Sequence, residues 1–303
     1  GRARGACRTD RADHRQAVNG FGDTAARTLI MGIVNVTPDS FSDGGRFATT
    51  AAAIAQGMLL ASQGADWIDV GGESTRPGAE RVGPDVELAR VLPVVRALAA
   101  AGIAVSIDTL NASTALRAVE AGARLVNDVS AGLADPAMLA AVADSGAEIA
   151  LGHWRGPSSD MYARAQYDDV AGDVVTELRA RADAALAAGI DASRIVLDPG
   201  IGFAKDAAQN WQVLAALPFI VSSGYRVLIG TSRKKFLGTM LGDRDNLATR
   251  DLATAMTSGL AAQSGVWGVR VHDVAATRVA LDVATAWQSG ARTPHAKENH
   301  DQA

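Results

Sequence analysis

The sequence predicts a single (β/α)8 barrel of the TIM type, a closed parallel sheet surrounded by helices. Short apolar runs rich in Val and Ile recur eight times between residues 28 and 290, separated by Ala/Leu-rich helical stretches. The runs are almost continuously hydrophobic, as strands buried on both faces are. Polar residues follow nearly every run, at the point where the predicted strand ends.

Eight strand–helix units in this span fit one parallel barrel. The predicted strands are Leu29–Val36, Trp67–Val70, Ala104–Ile107, Leu125–Val129, Glu148–Gly152, Ile195–Leu197, Val227–Gly230 and Gly268–Val271. Helical patterns between them include Asp85–Ala101, Val170–Ala188 and Arg250–Gln263. Three predicted helices are followed by a glycine in the C-cap position: Gly102, Gly122 and Gly189.

A doubly wound open sheet is the main alternative fold. Such a sheet usually has fewer strands and a glycine-rich nucleotide-binding turn after the first one. Here the first strand runs into residues 35–41, Asn-Val-Thr-Pro-Asp-Ser-Phe, which do not form a dinucleotide loop. Because no linker rich in Pro, Ser or Gly divides residues 28–290, we predict one domain there, with disordered tails over residues 1–27 and 291–303.

Composition and charge argue against several classes of partner. The formal net charge is −4 and the isoelectric point about 5.7, so nothing indicates a nucleic-acid or membrane partner. The single cysteine, Cys7, cannot form an internal disulfide, which suits a reducing cytoplasm. No apolar run approaches the roughly 20 residues of a membrane helix. The first 27 residues contain six arginines, several acids and no apolar core, so we expect neither a secretory signal nor a transit peptide.

The polar residues after the strands form a candidate site, because the carboxyl ends of parallel barrel strands meet on one face. In chain order they are Asn35, Thr37 and Asp39; Asp69 and residues 71–78; Asp108 and Thr109; Asn127 and Asp128; His153; Asp198; residues 232–235; and Arg270 and His272. A single polar residue at a strand end more often caps the following helix than takes part in catalysis. Eight strand ends with polar residues indicate a ligand-binding mouth, because buried polar groups need partners.

The residue types at the mouth indicate a flat heterocycle. Asp108, Asn127 and Asp198 would offer acceptors and one amide donor to a ring system with adjacent N–H groups. No Ser-His-Asp or Cys-His grouping stands out in the sequence, so covalent catalysis has little support.

A second group of residues indicates an anion. Arg270 and His272 are two apart on the last strand, so they project the same way, and the last two strands are where barrels often bind phosphate. Asn35 would bring a carbonyl oxygen near that anion, which favours a water-rich Mg²⁺ held with the ligand. Zinc is not favoured, because the sequence has no cysteine set and no close histidine pair.

Two long and several short segments closely resemble the signatures of bacterial dihydropteroate synthases. The long ones are Met31–Gly45 and Gly64–Ala79. The short ones are Ser106–Thr109, Val126–Ser130, Leu197–Phe203, Ser232–Lys234 and Arg270–Asp273. The matches occur in order over residues 30–273.

The resemblance implies an enzyme that joins a dihydropterin diphosphate to 4-aminobenzoate, releases diphosphate and uses Mg²⁺. It implies pterin binding by Asp108, Asn127, Asp198 and Lys234, with Arg233 in the same segment, and a diphosphate site of Asn35, Arg270 and His272, with Asn35 also touching Mg²⁺. It implies mobile loops that carry Asp39, Thr75, Arg76 and Pro77. Phe203 and Lys235 would form the 4-aminobenzoate pocket, which sulfonamides also occupy. Family members are similar in being homodimers joined through late helices.

Two positions depart from the family pattern. The family usually has Met before the histidine that follows strand 5, where this chain has Gly152, so we expect an apolar contact with the pterin to be lost unless Trp154 compensates. Many members have Ser where this chain has Lys235. Three other functions stay open: a non-catalytic pterin-binding paralogue, a methyltetrahydrofolate-binding methyltransferase of related fold, and an unrelated phosphate-binding barrel such as an isomerase.

Overall fold

Eight parallel strands close into a barrel in the order β1 to β8, and β8 pairs with β1. This arrangement comes from a computed structural model, which describes residues 27–37, 45–73, 82–156 and 165–292. The strands are β1 Leu29–Asn35, β2 Trp67–Gly71, β3 Val105–Asp108, β4 Leu125–Asp128, β5 Glu148–Gly152, β6 Ile195–Asp198, β7 Arg226–Ile229 and β8 Gly268–Val271. The predicted (β/α)8 barrel is confirmed, and each predicted strand boundary lies within one residue of the observed one.

Helices pack around the barrel and connect successive strands. They are α1 Gly45–Ser62, α2 Pro84–Ala100, α3 Ala112–Glu120, α4 Met138–Ser145, α5 Val170–Ala187, α6 Ala207–Ala215, α7 Leu217–Val221, α8 Lys235–Leu241, α9 Leu247–Gln263 and α10 Val274–Arg292. The three glycines predicted at helix ends all have positive φ, from +79° to +114°, which glycine adopts without the steric penalty of a side chain. Helix α9 begins three residues before the predicted start, because Asn246 and Thr249 form a capping box.

The barrel interior is apolar at the amino ends of the strands. Six buried side chains fill it, one from each of six strands: Met31, Trp67, Leu125, Ala150, Val196 and Leu228. We call this cluster the barrel floor. Leu29, Ala104 and Trp267 pack against it. A second, larger apolar cluster lies between the strands and the surrounding helices, so the strands are buried on both faces as predicted.

The predicted domain limits shift slightly at both ends. Arg27, at the end of the predicted tail, donates a hydrogen bond from Nη1 to Asp66 Oδ2 at 3.1 Å. Helix α10 continues to Arg292, past the predicted limit at residue 290. The remaining residues of both tails lie outside the described part of the chain. Among the described helices, none has the length and apolar character that crossing a membrane requires.

Candidate functional site

A cavity of about 1110 Å³ opens at the carboxyl ends of the strands. It brings together most of the described residues that the sequence predicts for the site, whereas Asp69, Thr109, Asp128 and His153 do not line it and His153 lines a smaller cavity. Those that line the main cavity include Asn35, Asp108, Asn127, Asp198, Phe203, Arg233, Lys234, Lys235, Arg270 and His272. Four further candidates, Asp39, Thr75, Arg76 and Pro77, lie outside the described residues.

The polar lining of the cavity follows from strand periodicity. Alternate residues of a strand point to the same side, so the inward residue two positions after a floor residue faces the cavity. Leu125 is followed in this way by Asn127, and Val196 by Asp198. The same strand therefore contributes an apolar side chain to the floor and a polar one to the mouth.

Arg270 lies at the centre of a buried charged cluster. Its Nε donates to Asp69 Oδ2 at 2.6 Å and its Nη2 donates to Asp108 Oδ2 at 2.7 Å. Asn127 Nδ2 also donates to Asp69 Oδ2, at 3.0 Å. Burial disfavours the guanidinium charge, but Asp69 and Asp108 raise the pKa of Arg270 above its usual value. The cation predicted to meet an anion is thus held between two carboxylates.

Asp69 is a site residue that the sequence places at a strand end without indicating its role. It is fully buried, and its second oxygen, Oδ1, has no hydrogen-bond partner among the described residues. Asp69 follows the floor residue Trp67 by two positions, so both side chains point to the inside of the barrel. The pairing with Arg270 is not visible in the sequence, because 201 residues separate the two.

Asp108 titrates in an unusual range. Burial raises the pKa of this carboxyl to about 7, against the opposing effect of Arg270, and the negative charge of Asp69 adds to the rise. A carboxyl with such a pKa can hold or release a proton near neutrality, as groups at functional sites often do.

Lys234 spans the wall between strands β6 and β7. Its Nζ donates a hydrogen bond to the carbonyl of Ile201 and lies 4.7 Å from the centre of the Phe203 ring. Burial lowers the pKa of Lys234 to about 8, while Asp198 opposes that shift. Asp198 itself accepts a hydrogen bond at 2.8 Å from the backbone N–H of Gly200. The wall thus presents a carboxylate, an ammonium and an aromatic face side by side.

His272 and Arg233 line the β7–β8 side of the cavity and have different hydrogen-bond partners. His272 Nδ1 lies 2.8 Å from Ser232 Oγ, and the backbone N–H of His272 donates to the same oxygen at 3.1 Å. The Arg233 guanidinium forms two hydrogen bonds to Asp251 on α9, at 2.6 and 2.8 Å. Arg233 therefore lines the cavity while its charge is neutralised by α9. Lys235, the first residue of α8, is exposed.

Gly152 lies close against the backbone that follows β4. A Cβ at this position would lie 2.5 Å from the carbonyl oxygen of Val129, so the backbone after β4 occupies the space of a side chain. Val129 lines the main cavity, whereas Gly152 and Trp154 line a separate cavity of about 180 Å³. Trp154 is not among the residues that line the main cavity, and the loss of an apolar pterin contact at Gly152 stays a prediction.

Comparisons with known proteins identify the family. A family model described as pterin binding enzyme matches residues 31–272. A dihydropteroate synthase of Mycobacterium leprae (strain TN) is 50% identical over 267 residues, which cover 86% of this chain and 94% of that protein. Two solved dihydropteroate synthases are also similar. That of Xanthomonas albilineans with 4-aminobenzoic acid has 46% identity and a TM-score of 0.81, over 89% of this chain and 95% of its own. That of Yersinia pestis with a sulfonamide drug has 37% identity and a TM-score of 0.82, over 90% of this chain and 98% of its own. The chain therefore belongs to the pterin binding enzyme family and, within it, to the dihydropteroate synthases.

Proposed function

We propose that this chain joins 6-hydroxymethyl-7,8-dihydropterin diphosphate to 4-aminobenzoate, in folate biosynthesis, through the residues of the main cavity. The arylamine nitrogen forms a bond to the pterin methylene carbon, the bond from that carbon to the diphosphate oxygen breaks, and the arylamine loses a proton. The observation that carries this proposal is one cavity with three buried acceptor residues, Asp108, Asn127 and Asp198, beside the cation Arg270.

The pterin end of the cavity suits a heterocycle with several N–H groups. Asp108 and Asp198 offer carboxylate oxygens, and Asn127 offers an amide oxygen, since its Nδ2 is occupied by Asp69. Lys234 supplies a donor on the same wall. These groups fix the ring by hydrogen bonds to ionised partners, which are stronger than neutral ones. The two carboxylates also stabilise positive charge that develops on the pterin as diphosphate leaves.

The diphosphate end is proposed around Asn35, Arg270 and His272. A Cβ on Gly71 would lie 3.7 Å from Asn35 Oδ1 and 3.6 Å from Asp108 Oδ2, so the glycine leaves both oxygens facing one gap. One protein amide oxygen fits Mg²⁺ that keeps its waters and binds mainly through substrate phosphate. No cluster of three or more metal-ligating His, Cys, Asp or Glu occurs among the residues described, so we do not propose a dedicated metal cage. Bound there, Mg²⁺ would offset the charge of the leaving diphosphate.

The second substrate is proposed to lie against Phe203, with Lys235 at the pocket rim. The Phe203 ring is half-buried and faces the cavity beside Lys234. An aromatic ring and an aminobenzoate ring pack favourably, and the cations nearby suit its carboxylate. The Xanthomonas albilineans relative was solved with 4-aminobenzoic acid and the Yersinia pestis relative with a sulfonamide drug. We propose that both kinds of molecule compete for this pocket here.

The proposed reaction needs no protein nucleophile. An arylamine is itself nucleophilic. Binding the two substrates with the arylamine nitrogen in line with the leaving diphosphate therefore supplies most of the rate enhancement. Asp39 and residues 75–77 are proposed to close over the pair and exclude water, as the family resemblance implies for these loops. Asp39→Ala is expected to slow turnover and leave pterin affinity unchanged, which calorimetric titration checks.

One assay distinguishes catalysis from pterin binding alone. Purified protein should release diphosphate only when the pterin diphosphate, 4-aminobenzoate and Mg²⁺ are present together. Release that does not need 4-aminobenzoate would contradict the transfer reaction. Pterin binding without any release would favour the non-catalytic paralogue. Asn35→Ala should raise the Mg²⁺ concentration needed for half-maximal rate, while an unchanged requirement would remove Asn35 from the metal site.

A homodimer is proposed through α9 and α10. These helices pack against each other and carry two exposed apolar rows at helical spacing. The rows are Leu252, Met256 and Leu260 on α9 and Val279, Val283 and Trp287 on α10. Trp287 is 74% exposed, so a second copy would bury a large aromatic surface. Analytical ultracentrifugation should show a dimer that Trp287→Glu converts to monomer; a monomeric wild type would contradict the proposal.

We propose the cytoplasm as the location of the protein. The support is its cysteine content, since Cys7 has no second cysteine in the sequence to form a disulfide with. Cell fractionation with an antibody against the chain tests this.

A further inference from the structure

Lys205 is a buried cation for which the proposed reaction has no role. It is 1% exposed, and its Nζ donates to two backbone carbonyls, those of Gly200 and Phe203, each at 3.1 Å. Nζ also lies 3.0 Å from His153 Nδ1. Burial lowers the pKa of Lys205 to about 7. A buried ammonium is tolerated only when its donors are satisfied, and here three acceptors face its three protons.

His153 is held in the form that accepts from Lys205. Burial lowers the pKa of His153 to about 4, so the ring is neutral and Nδ1 can offer its lone pair to the ammonium. On the other side of the ring, Nε2 lies 2.9 Å from Glu177 Oε2, although not in the alignment of a good hydrogen bond. Glu177 also accepts from Arg155 Nε at 3.0 Å. Lys205 therefore contacts His153 in the segment that follows β5, and Glu177 of α5 lies on the other side of that histidine.

The carbonyls that Lys205 holds belong to the segment after β6, residues 199–206, which we call loop 6. The carbonyls of loop 6 are divided between two lysines that both line the cavity: Ile201 accepts from Lys234, while Gly200 and Phe203 accept from Lys205. Ala204 has a φ of +47°, a conformation that costs a non-glycine residue about 1 kcal/mol and needs support from its surroundings. Tyr167 supplies part of that support by donating to the Ala204 carbonyl at 2.9 Å.

We propose that Lys205 is a positioning residue for 4-aminobenzoate: its ammonium fixes the backbone of loop 6 and so holds the Phe203 ring in the cavity. The inference rests on the proposed placement of 4-aminobenzoate against Phe203. The pterin site depends less on Lys205, because Asp198 lies in β6, where pairing with β5 and the hydrogen bond from His153 N to Asp198 O hold the backbone. Phe203 lies beyond the strand, and Lys205 is the side chain that holds its carbonyl.

Steady-state kinetics of Lys205→Met with both substrates tests this role. We expect the KM for 4-aminobenzoate to rise roughly tenfold or more, because small displacements of a positioning group have large effects. The KM for the pterin diphosphate should change far less. If Lys205 had a purely structural role, Lys205→Met would lower the melting temperature and the fraction of active protein. The ratio of the KM for 4-aminobenzoate to the KM for the pterin diphosphate would then stay as in the wild type. An unchanged KM for 4-aminobenzoate in folded Lys205→Met overturns the proposal.

Arg194→Met is the matched control. Arg194 also holds backbone carbonyls, those of Ala147 at 2.9 Å and Val142 at 2.8 Å, but it precedes β6 and lies at the opposite end of the barrel. Its loss should lower stability and leave both KM values unchanged. Should Lys205→Met not fold, as circular dichroism would show, Lys205→Gln replaces it, since its shorter neutral amide cannot satisfy the same three acceptors. The same rise in the KM for 4-aminobenzoate is expected, and its absence overturns the proposal.

Phe203→Ala separates this inference from the proposed function. If Phe203→Ala leaves the KM for 4-aminobenzoate unchanged, the proposed pocket is wrong and Lys205 has no substrate to position there. If Phe203→Ala raises that KM and Lys205→Met does not, the pocket stands and the role of Lys205 is wrong. A rise in both variants supports the two proposals together.

Discussion

The two ends of the barrel interior are built from the same strands and differ in almost every physical property. At the floor, side chains such as Met31 and Leu228 are buried, uncharged and packed against one another. At the mouth, Asp69, Asp108 and Arg270 are charged and largely buried in one cluster. Apolar burial at the floor stabilises the fold directly. Buried ion pairs contribute little net stability, because desolvation offsets their attraction.

This difference indicates that the side chains of the mouth are arranged to bind a ligand. Packing alone would not produce the raised pKa of Asp108, or the buried Asp69 oxygen that finds no partner within the described ranges. A ligand with donors and an anionic group would satisfy such a cluster better than the protein does by itself. Substitutions at the floor should therefore affect folding, and substitutions at the mouth should affect activity.

Arg270→Ala is expected to have the largest effect on activity. Loss of the guanidinium should lower kcat/KM by on the order of a thousandfold, as removal of a charge-stabilising group does in other active sites. It also leaves Asp69 and Asp108 without their cation, so some stability is lost as well. The measurement is diphosphate release under saturating Mg²⁺. Turnover equal to that of the wild type would exclude Arg270 from the diphosphate site.

Leu228→Ala tests the floor in the same way. Leu228 is fully buried, and its truncation should lower the free energy of unfolding by about 3 kcal/mol through lost burial and a cavity. Chemical denaturation measures this loss, and kinetics on the folded variant should give both KM values of the wild type. A changed KM would mean that the floor and the mouth are coupled rather than independent.

Asp198→Asn is expected to weaken pterin binding without a comparable effect on folding. The change replaces a carboxylate, which only accepts hydrogen bonds, with an amide that has one donor and one acceptor group. We expect the binding free energy of the pterin to weaken by about 2 kcal/mol, or roughly thirtyfold in Kd. Gly200 N–H can still bond to the amide oxygen, so loop 6 should keep its geometry. Isothermal titration with the pterin diphosphate gives the affinity, and wild-type affinity would remove Asp198 from the pterin site.

The pH dependence of kcat/KM for the pterin diphosphate should show a smaller effect that belongs to the mouth alone. The proposed pterin site needs ionised Asp108, whose pKa is about 7, and charged Lys234, whose pKa is about 8. Since kcat/KM reports the free enzyme, it should fall on acidification below about 7 and on alkalinisation above about 8. Asp108→Asn should remove the acid limb, whereas Leu228→Ala should keep the wild-type profile. A flat wild-type profile across this range would contradict both assignments.

Much of the fold was predictable because the strands are buried on both faces. Runs that are mostly apolar, such as Glu148–Gly152 and Gly268–Val271, mark such strands, and both predicted ranges match the structure. Helix starts were less predictable. The capping box of Asn246 and Thr249 begins α9 before its apolar pattern does, so periodicity alone placed the start too late.

The membership of the site was predictable, but its pairings were not. Strand ends identify most of the side chains that reach the mouth, although described candidates such as Asp128 and His153 do not line the main cavity. Which of them touch depends on how distant strands face each other across the barrel. The contacts of Arg270 with Asp69 and of Lys205 with His153 therefore required coordinates. The same holds for Gly152, where the close approach of the Val129 backbone is not visible in the sequence.

A neutral version of the charged cluster tests the contrast between floor and mouth most directly. Asp69→Asn, Asp108→Asn and Arg270→Met together remove all three charges while keeping similar volumes. If the cluster exists for its ligand, the free energy of unfolding should stay within about 1 kcal/mol of the wild-type value, because uncharged replacements of buried ion pairs are often neutral or stabilising. Pterin diphosphate binding and diphosphate release should both be lost. A triple variant that loses several kcal/mol of stability, or one that still releases diphosphate, would contradict the assignment of this cluster to ligand binding.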